Sequence, residues 1–311
     1  MHIHLARTFL LIGFSILSFH VLKAQKLSYS YSLNGNETQL SIMSWFAMPG
    51  DTLRIEFSGK TDGQITAEYS EGVILKDSRL KWRYIVPKEV GIYVVSALKE
   101  ANGEKLTLNV FVKRPAAQQK GEYLNGYRIG TYPQKPYRNN PMYLPPKGFI
   151  EVTRSNLNTR VSPHFLLGQF LCKQQPDQWP KYLLLNMRLL MKLEMITEEL
   201  KRRGLPDELF VMSGYRTPYY NHSIGQGKYS RHIYGDAVDI YVDENKDGVI
   251  DDLNRDGKAS MGDADVIYRI VENIEKEPAN KLLIGGIGKY RKTSTHTWDV
   301  HVDTRGFKAR W

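Results

Sequence analysis

In "SRHIYGDAVD", residues 230–239, His232 and Asp239 stand seven positions apart among small and turn-forming residues. Neither an imidazole nor a carboxylate enters an apolar core without a partner to compensate it. The strand-like run "DAVDIYVD" alternates Val238, Ile240 and Val242 with Asp239, Tyr241 and Asp243. Further on, "TWDVHVD" alternates Trp298, Val300 and Val302 with Asp299, His301 and Asp303. A period of two puts each set on one face of a strand. If the two strands are neighbours, Asp239 and His301 converge, and His232 reaches in from the preceding turn. Two imidazoles and one carboxylate leave a fourth tetrahedral position for water, which is the catalytic rather than the structural zinc pattern. A closed structural site would call for cysteines, and the chain has only Cys172.

The elements that must position these residues follow from hydrophobic period. "ELFVMSGYR" reads as a strand that ends where the chemistry begins. Before it, Leu185, Leu189, Leu193, Ile196 and Leu200 fall on one helical stripe that Gly204 and Pro206 stop, and "VSPHFLLGQFLCK" is expected to open this helical region. Its Met and Leu residues read as core packing. This half of the chain, 151–311, is expected to be an α+β domain with a small antiparallel sheet. Residues 25–113 show only the period of two, with Leu53, Ile55 and Phe57 inward, and Leu106, Leu108, Val110 and Val112 on one face. Frequent turn signals predict an all-β immunoglobulin-like sandwich, in which Tyr93 is a candidate corner tyrosine. Six of the fourteen prolines fall between Arg114 and Pro146, so residues 114–150 read as a Pro/Tyr-rich connection packed along a surface.

The first residues combine a short basic start with an apolar run from Phe9 to Leu22 and a small residue, Ala24, at a cleavage point. Residues 1–24 are expected to be a secretory signal peptide, leaving a periplasmic or secreted chain with no stable membrane insertion. One cysteine excludes an intrachain disulfide. Lys plus Arg outnumber Asp plus Glu by 43 to 33, and by 41 to 33 without Arg7 and Lys23. That excess suits an anionic polymer such as cell wall. No Lys/Arg stripe interleaved with aromatics is present, so nucleic acid is not expected as a partner. The oligomeric state is not legible.

"SRHIYGDAVD" also matches the Ser-x-His-x(6)-Asp signature of the zinc D-alanyl-D-alanine carboxypeptidase family, which includes cell-wall endopeptidases and shares its fold with the hedgehog signalling domain. "SGYRTPYYN" upstream, and "GGIGKY", "VHVD" and "ARW" downstream, resemble the same family in the same order, over roughly residues 120–311. The resemblance implies His232, Asp239 and His301 as zinc ligands, and Arg216 as the partner of a substrate carboxylate or a developing oxyanion. It implies that Ser230 orients the loop or hydrogen-bonds near the metal. The family also needs a general base. Many members place Glu or Asp three positions before the last histidine, where this chain has Trp298; others place His two positions before it, where this chain has Asp299. Strand alternation puts Asp299 on the face of His301, which favours it as the base that takes a proton from water at the metal, with His296 the second choice. Asp299 as a partner that only orients a ligand is the remaining alternative. "GGIG" has the wrong spacing for a nucleotide loop and reads as a turn beside the site.

The acidic insertion 243–263 follows. Asp243, Asn245, Asp247 and Asp251 take positions 1, 3, 5 and 9 of a calcium loop with Gly248 at 6, and Asn254 replaces the usual Glu at 12. A register restarting at Asp252 offers Asp252, Asn254, Asp256, Ser260 and Asp263, with Gly257 at 6. One or two calcium ions are expected, in front of a helix that buries Ile267, Ile270, Val271 and Ile274.

Taken together, these features predict an exported zinc metallopeptidase that hydrolyses peptide bonds next to D-amino acids in peptidoglycan, as a carboxypeptidase or an endopeptidase. The alternative is a non-catalytic zinc- and calcium-binding surface module of the hedgehog-type fold.

Overall fold

The computed structural model describes residues 26–59, 61 and 63–311. The expected signal segment lies outside these residues. Among the described residues no helix is long and apolar enough to cross a membrane.

The N-terminal region is built from β1 (Lys26–Leu33), β2 (Asn36–Leu40), β3 (Ile42–Ala47), β4 (Thr52–Gly59), β5 (Ile65–Tyr69), β6 (Val73–Ser78), β7 (Lys81–Ile85), β8 (Gly91–Lys99) and β9 (Glu104–Val112). They form two sheets, ordered β2-β1-β4-β7-β6 and β3-β9-β8-β5. Only β3 and β9 run parallel. Leu53, Ile55 and Phe57 of the first sheet and Leu106, Leu108 and Val110 of the second are buried in one core, where Phe57 meets Trp82 edge-on at 4.7 Å. Asn34 and Gly35 both take positive φ, the geometry a two-residue hairpin needs to follow strand twist. The Tyr93 hydroxyl donates to the Glu89 carbonyl, 3.2 Å away and four residues upstream.

The Pro/Tyr-rich segment packs through its buried aromatics while much of the rest is exposed. It contributes β10 (Arg114–Pro115), β11 (Tyr123–Leu124) and β12 (Tyr127–Arg128), and leads into β13 (Gly148–Val152), which lies between β10 and β14 (Lys181–Leu183). Tyr127, Ile129, Tyr132 and Tyr143 are buried. The Tyr132 hydroxyl lies 2.9 Å from that of Tyr215 and donates to the Ile233 carbonyl at 2.8 Å, so the segment grips two loops of the following domain.

The helical expectation for 161–173 is corrected: only Leu167–Phe170 forms a short 3-10 turn. Buried Glu194 explains this. It accepts from Ser162 Oγ at 2.6 Å and from His164 N at 2.8 Å, which pins the chain in an irregular path that Pro163 reinforces. The helix itself, α1 (Met187–Arg202), starts later than the stripe implied, because Asn186 caps it by accepting from Arg188 N at 2.9 Å. Leu185 is buried but precedes the helix, and the residues before it form β14.

The remaining elements are β15 (Leu209–Ser213), α2 (Pro218–Ser223), β16 (Ala237–Val242), α3 (Met261–Lys276), β17 (Gly286–Tyr290), β18 (Asp299–Asp303) and β19 (Ala309–Arg310). The sheet order is β15-β16-β18-β17-β19. Val238, Ile240, Val300 and Val302 are fully buried with the inner faces of α1 and α3. Within that apolar layer Lys192 of α1 donates to Glu275 of α3 at 2.6 Å and to the Asp303 carbonyl at 2.8 Å. Arg310 completes the network by donating to the other Glu275 oxygen at 2.6 Å. The chain thereby holds the end of β18 from behind.

Candidate metal centre

β16 and β18 are antiparallel neighbours, and their register places Asp239 directly opposite His301. His232 enters from a short 3-10 turn, Arg231–Tyr234, that ends at Gly235. Gly235 has φ +72°, and a Cβ there would stand 2.4 Å from the Leu184 backbone, so only glycine allows this close turn. The turn is further set by the buried ion pair Arg231–Asp236, 2.6 and 2.9 Å.

Three ligand atoms converge as a result. Asp239 Oδ1 lies 2.9 Å from His301 Nδ1 and 3.2 Å from His232 Nε2, and the two nitrogens are 3.2 Å apart. Metal–ligand distances of about 2.0–2.1 Å imply tetrahedral edges of about 3.3 Å, so the triangle fits one zinc ion. The far nitrogens settle the tautomers: His232 Nδ1 donates to the Gly214 carbonyl at 2.8 Å, and His301 Nε2 donates to Asp303 Oδ2 at 3.1 Å. The lone pair of His232 Nε2 thus faces the shared point, and that of His301 Nδ1 does so once the proton it shares with Asp239 has left. Asp239 Oδ2 accepts from Arg216 Nη2 at 2.5 Å. Among the described residues this is the one group of three or more His, Cys, Asp or Glu ligand atoms gathered closely enough to hold a metal.

The electrostatics agree with a cation site. Burial disfavours the Asp239 carboxylate, yet the charges and hydrogen bonds of His232 and His301 hold its pKa well below the usual range. Burial lowers the pKa of His232. For His301 burial also acts downward, but hydrogen bonds and charge from Asp239 and Asp303 prevail and raise it to about 9.

The family model for Peptidase M15 matches residues 169–268, a span that contains His232 and Asp239 and stops before β18. The match supports a Peptidase M15 domain in this part of the chain. No curated protein and no solved structure matches the chain. The family match supports a metallopeptidase of a zinc-dependent family, and the His/Asp/His group, whose third member His301 lies beyond the matched span, supplies donors that suit that metal.

The other expected site residues of the M15 domain are placed as follows. Asp299 shares the metal face of β18; its side chain is fully buried, and among the described residues neither oxygen has a hydrogen-bond partner. Burial and the charge of Asp239 raise its pKa to about 8. His296 Nδ1 lies 3.1 Å from Asp299 Oδ2 but directs its proton to the Thr297 carbonyl at 2.8 Å. Arg216 is occupied differently from the expectation, because Nη2 is bound to Asp239 and Nε donates to Ser213 Oγ at 2.9 Å. Among the described residues Nη1 is left without a hydrogen-bond partner. Ser230 acts through its backbone: its N donates to the Gly227 carbonyl at 2.9 Å and its carbonyl accepts from Ile233, while the hydroxyl caps nothing.

Residues that the sequence marked only by alternation or by the motifs "GGIGKY", "VHVD" and "ARW" complete the site. Asp303 accepts from His301, and also from Arg305 Nε and Gly286 N at 2.8 and 2.7 Å. The "GGIG" glycines admit this packing: a Cβ on Gly286 would meet Asp303 at 2.5 Å, and one on Gly288 would meet the Trp311 indole at 2.3 Å. Trp311 lies 5.1 Å from the His301 ring and donates to the Tyr290 hydroxyl at 2.9 Å, so it walls the site.

The acidic insertion forms two copies of one loop, nine residues apart. Asp243 accepts from Asp247 N and Gly248 N at 3.1 and 3.0 Å, and Asp252 accepts from Asp256 N and Gly257 N at 3.0 and 2.7 Å. Asn245 and Asn254 likewise accept from Asp247 N and Asp256 N. Asp251 accepts from Glu244 N at 2.8 Å. Asp263 caps α3 with Ser260, accepting from Leu253, Asn254 and Ser260 backbone N–H groups. These carboxylates are turned onto the loop backbone and do not form a second convergent ligand group.

Proposed function

We propose that the chain is an exported zinc peptidase that hydrolyses amide bonds next to D-amino acids in peptidoglycan peptides. The observation that carries this reading is the triangle of Asp239 Oδ1, His232 Nε2 and His301 Nδ1, three buried donor atoms converging on one point. These three residues would hold zinc, which when bound supplies a Lewis acid for the carbonyl and acidifies water. Asp299 is the proposed base: its buried carboxyl group lies on the metal face, and once ionised it can take a proton from the attacking water and return it to the leaving amine. Arg216 orients Asp239 and keeps Nη1 for a substrate carboxylate.

Export rests on the apolar N-terminal run, and the basic excess suits an anionic wall. The facing β-sheets of the N-terminal region, with the Tyr93–Glu89 bond, support the immunoglobulin-like reading of that part. Calcium in the loops of residues 243–263 is carried forward on the sequence pattern alone; a thermal-shift titration with calcium and magnesium decides it, and equal responses to both ions would reject it.

The test of the main reading is mass spectrometry of purified muropeptides incubated with the zinc-loaded chain. Loss of one D-alanine means carboxypeptidase; resolution of cross-linked dimers means endopeptidase. Asp299→Ala and His301→Ala should both be inactive. If only His301→Ala is inactive, the base lies elsewhere, and an inert zinc-loaded wild type rejects the peptidase reading.

A further inference from the structure

The N-terminal sheets are joined firmly to the M15 side of the molecule. Arg188 of α1 donates to the buried Asn36 at 2.8 Å, and Asn109 of β9 donates to the Arg160 carbonyl at 2.7 Å. Between the two regions lies a cleft of about 570 Å³, within the size range of small-ligand sites. Trp45, Phe46 and Met48 line it from β3 and its end, and Met142 and Leu144 from the Pro/Tyr-rich segment.

The charge in this cleft is unbalanced. Arg231 and Asp236 neutralise each other, which leaves Lys113, Lys147 and Arg188 facing the single carboxylate of Asp51. Lys113 is the telling residue. Its ammonium has no hydrogen bond or ion pair among the described residues, and it lines the cleft with Asp51 and Lys147. Burial lowers its pKa, and the charge of Asp51 only partly offsets this. Lys113 is half-buried, and a carboxylate arriving from outside would give its ammonium a charged partner. β3 is also the edge strand of its sheet, so its outer backbone groups have no strand partner. An extended main chain can pair with such an edge.

We infer that this cleft is a second binding site, for carboxylate-bearing peptides, with Lys113 as the counter-charge, Trp45 and Phe46 as the apolar floor and the edge of β3 as the main-chain partner. The inference does not depend on zinc or on hydrolysis. The turn 231–236 joins the two sites, since it presents His232 to the metal centre while Arg231, Tyr234 and Asp236 line the cleft.

The test uses the full chain treated with a chelator, so that the metal centre contributes nothing. Acetyl-Ala-Glu-Ala-amide and acetyl-Ala-Gln-Ala-amide are titrated by calorimetry and by intrinsic tryptophan fluorescence, up to about 10 mM. The Glu peptide should bind at least about tenfold more tightly than the Gln peptide. Lys113→Met should remove that preference and leave Gln-peptide binding unchanged, and Trp45→Leu should weaken both. The melting temperature of Lys113→Met checks that it is folded; if it is not, the Glu/Gln comparison on the wild type decides alone. Equal binding of the two peptides, wild-type behaviour of folded Lys113→Met, or no binding at all overturns the proposal. Sodium acetate that binds as tightly as the Glu peptide overturns it in favour of a simple anion site.

Discussion

The imidazole of His301 is held from behind by Asp303, whose Oδ2 lies 3.1 Å from Nε2. The two residues stand two positions apart on one strand and share a face, so β18 carries a metal ligand and its orienting partner together. Asp303 is itself fixed by Arg305 and Gly286. Removing the carboxylate should free the ring to turn. Asp303→Ala should weaken zinc binding by about 10–100-fold, and Asp303→Asn, which keeps an acceptor, by less. Competition against a chromophoric chelator measures both, and an unchanged affinity in Asp303→Ala would show that the pair is incidental.

Metal binding should release a proton. In the metal-free chain His301 titrates at about 9, because Asp239 and Asp303 overcome its burial, so at neutral pH a proton must leave before the ring can act as a ligand. Calorimetry at pH 7.5 in buffers of different ionisation enthalpy should report about one proton released per zinc. The raised pKa also has a sign for stability. The protonated ring stabilises the metal-free fold fully below the unfolded value of about 6.5, and that contribution is lost as pH rises through about 9. Melting temperatures of metal-free His301→Gln should lack this fall.

Trp311 should depend on the absence of a side chain at Gly288. The two meet at 2.3 Å once a Cβ is built, and the indole cannot move without leaving Tyr290 and His301. Gly288→Ala should destabilise the domain by about 1–3 kcal/mol, the usual cost of overpacking. Its tryptophan fluorescence should change in the same direction as in Trp311→Phe. A variant as stable as the wild type would mean the wall is loose.

The Lys192–Glu275 pair has both side chains fully buried. Breaking it from one side leaves an uncompensated charge, so Lys192→Met or Glu275→Leu alone should cost about 3–5 kcal/mol. The double variant should recover much of that loss, although Gly285 N and Arg310 would still lack their Glu275 acceptor. Chemical denaturation of the three variants gives the coupling, and additive losses would argue against a direct pair.

The sequence by itself determined what is local. The alternation in "DAVDIYVD" and "TWDVHVD" carries the faces of β16 and β18, because a strand presents every second residue to the same side whatever its neighbours do. The repeated pattern of Asp, Asn, Asp and Gly in residues 243–257 carries the two acidic loops for the same reason, since their bonds run between residues two to five apart. The start of α1 is set by the Asn186 cap, which the apolar stripe through Leu185 does not mark.

What lies across the chain was decided by tertiary structure. The pairing of Asp239 with His301 is a register between strands 62 residues apart. The occupation of Arg216 by Asp239, the irregular path around Glu194 and the walling of the site by Trp311 are contacts between residues whose spacing carries no period. Such contacts depend on which surfaces meet after the core has closed, and hydrophobic burial, which drives that closure, is blind to the identity of the polar groups it brings together.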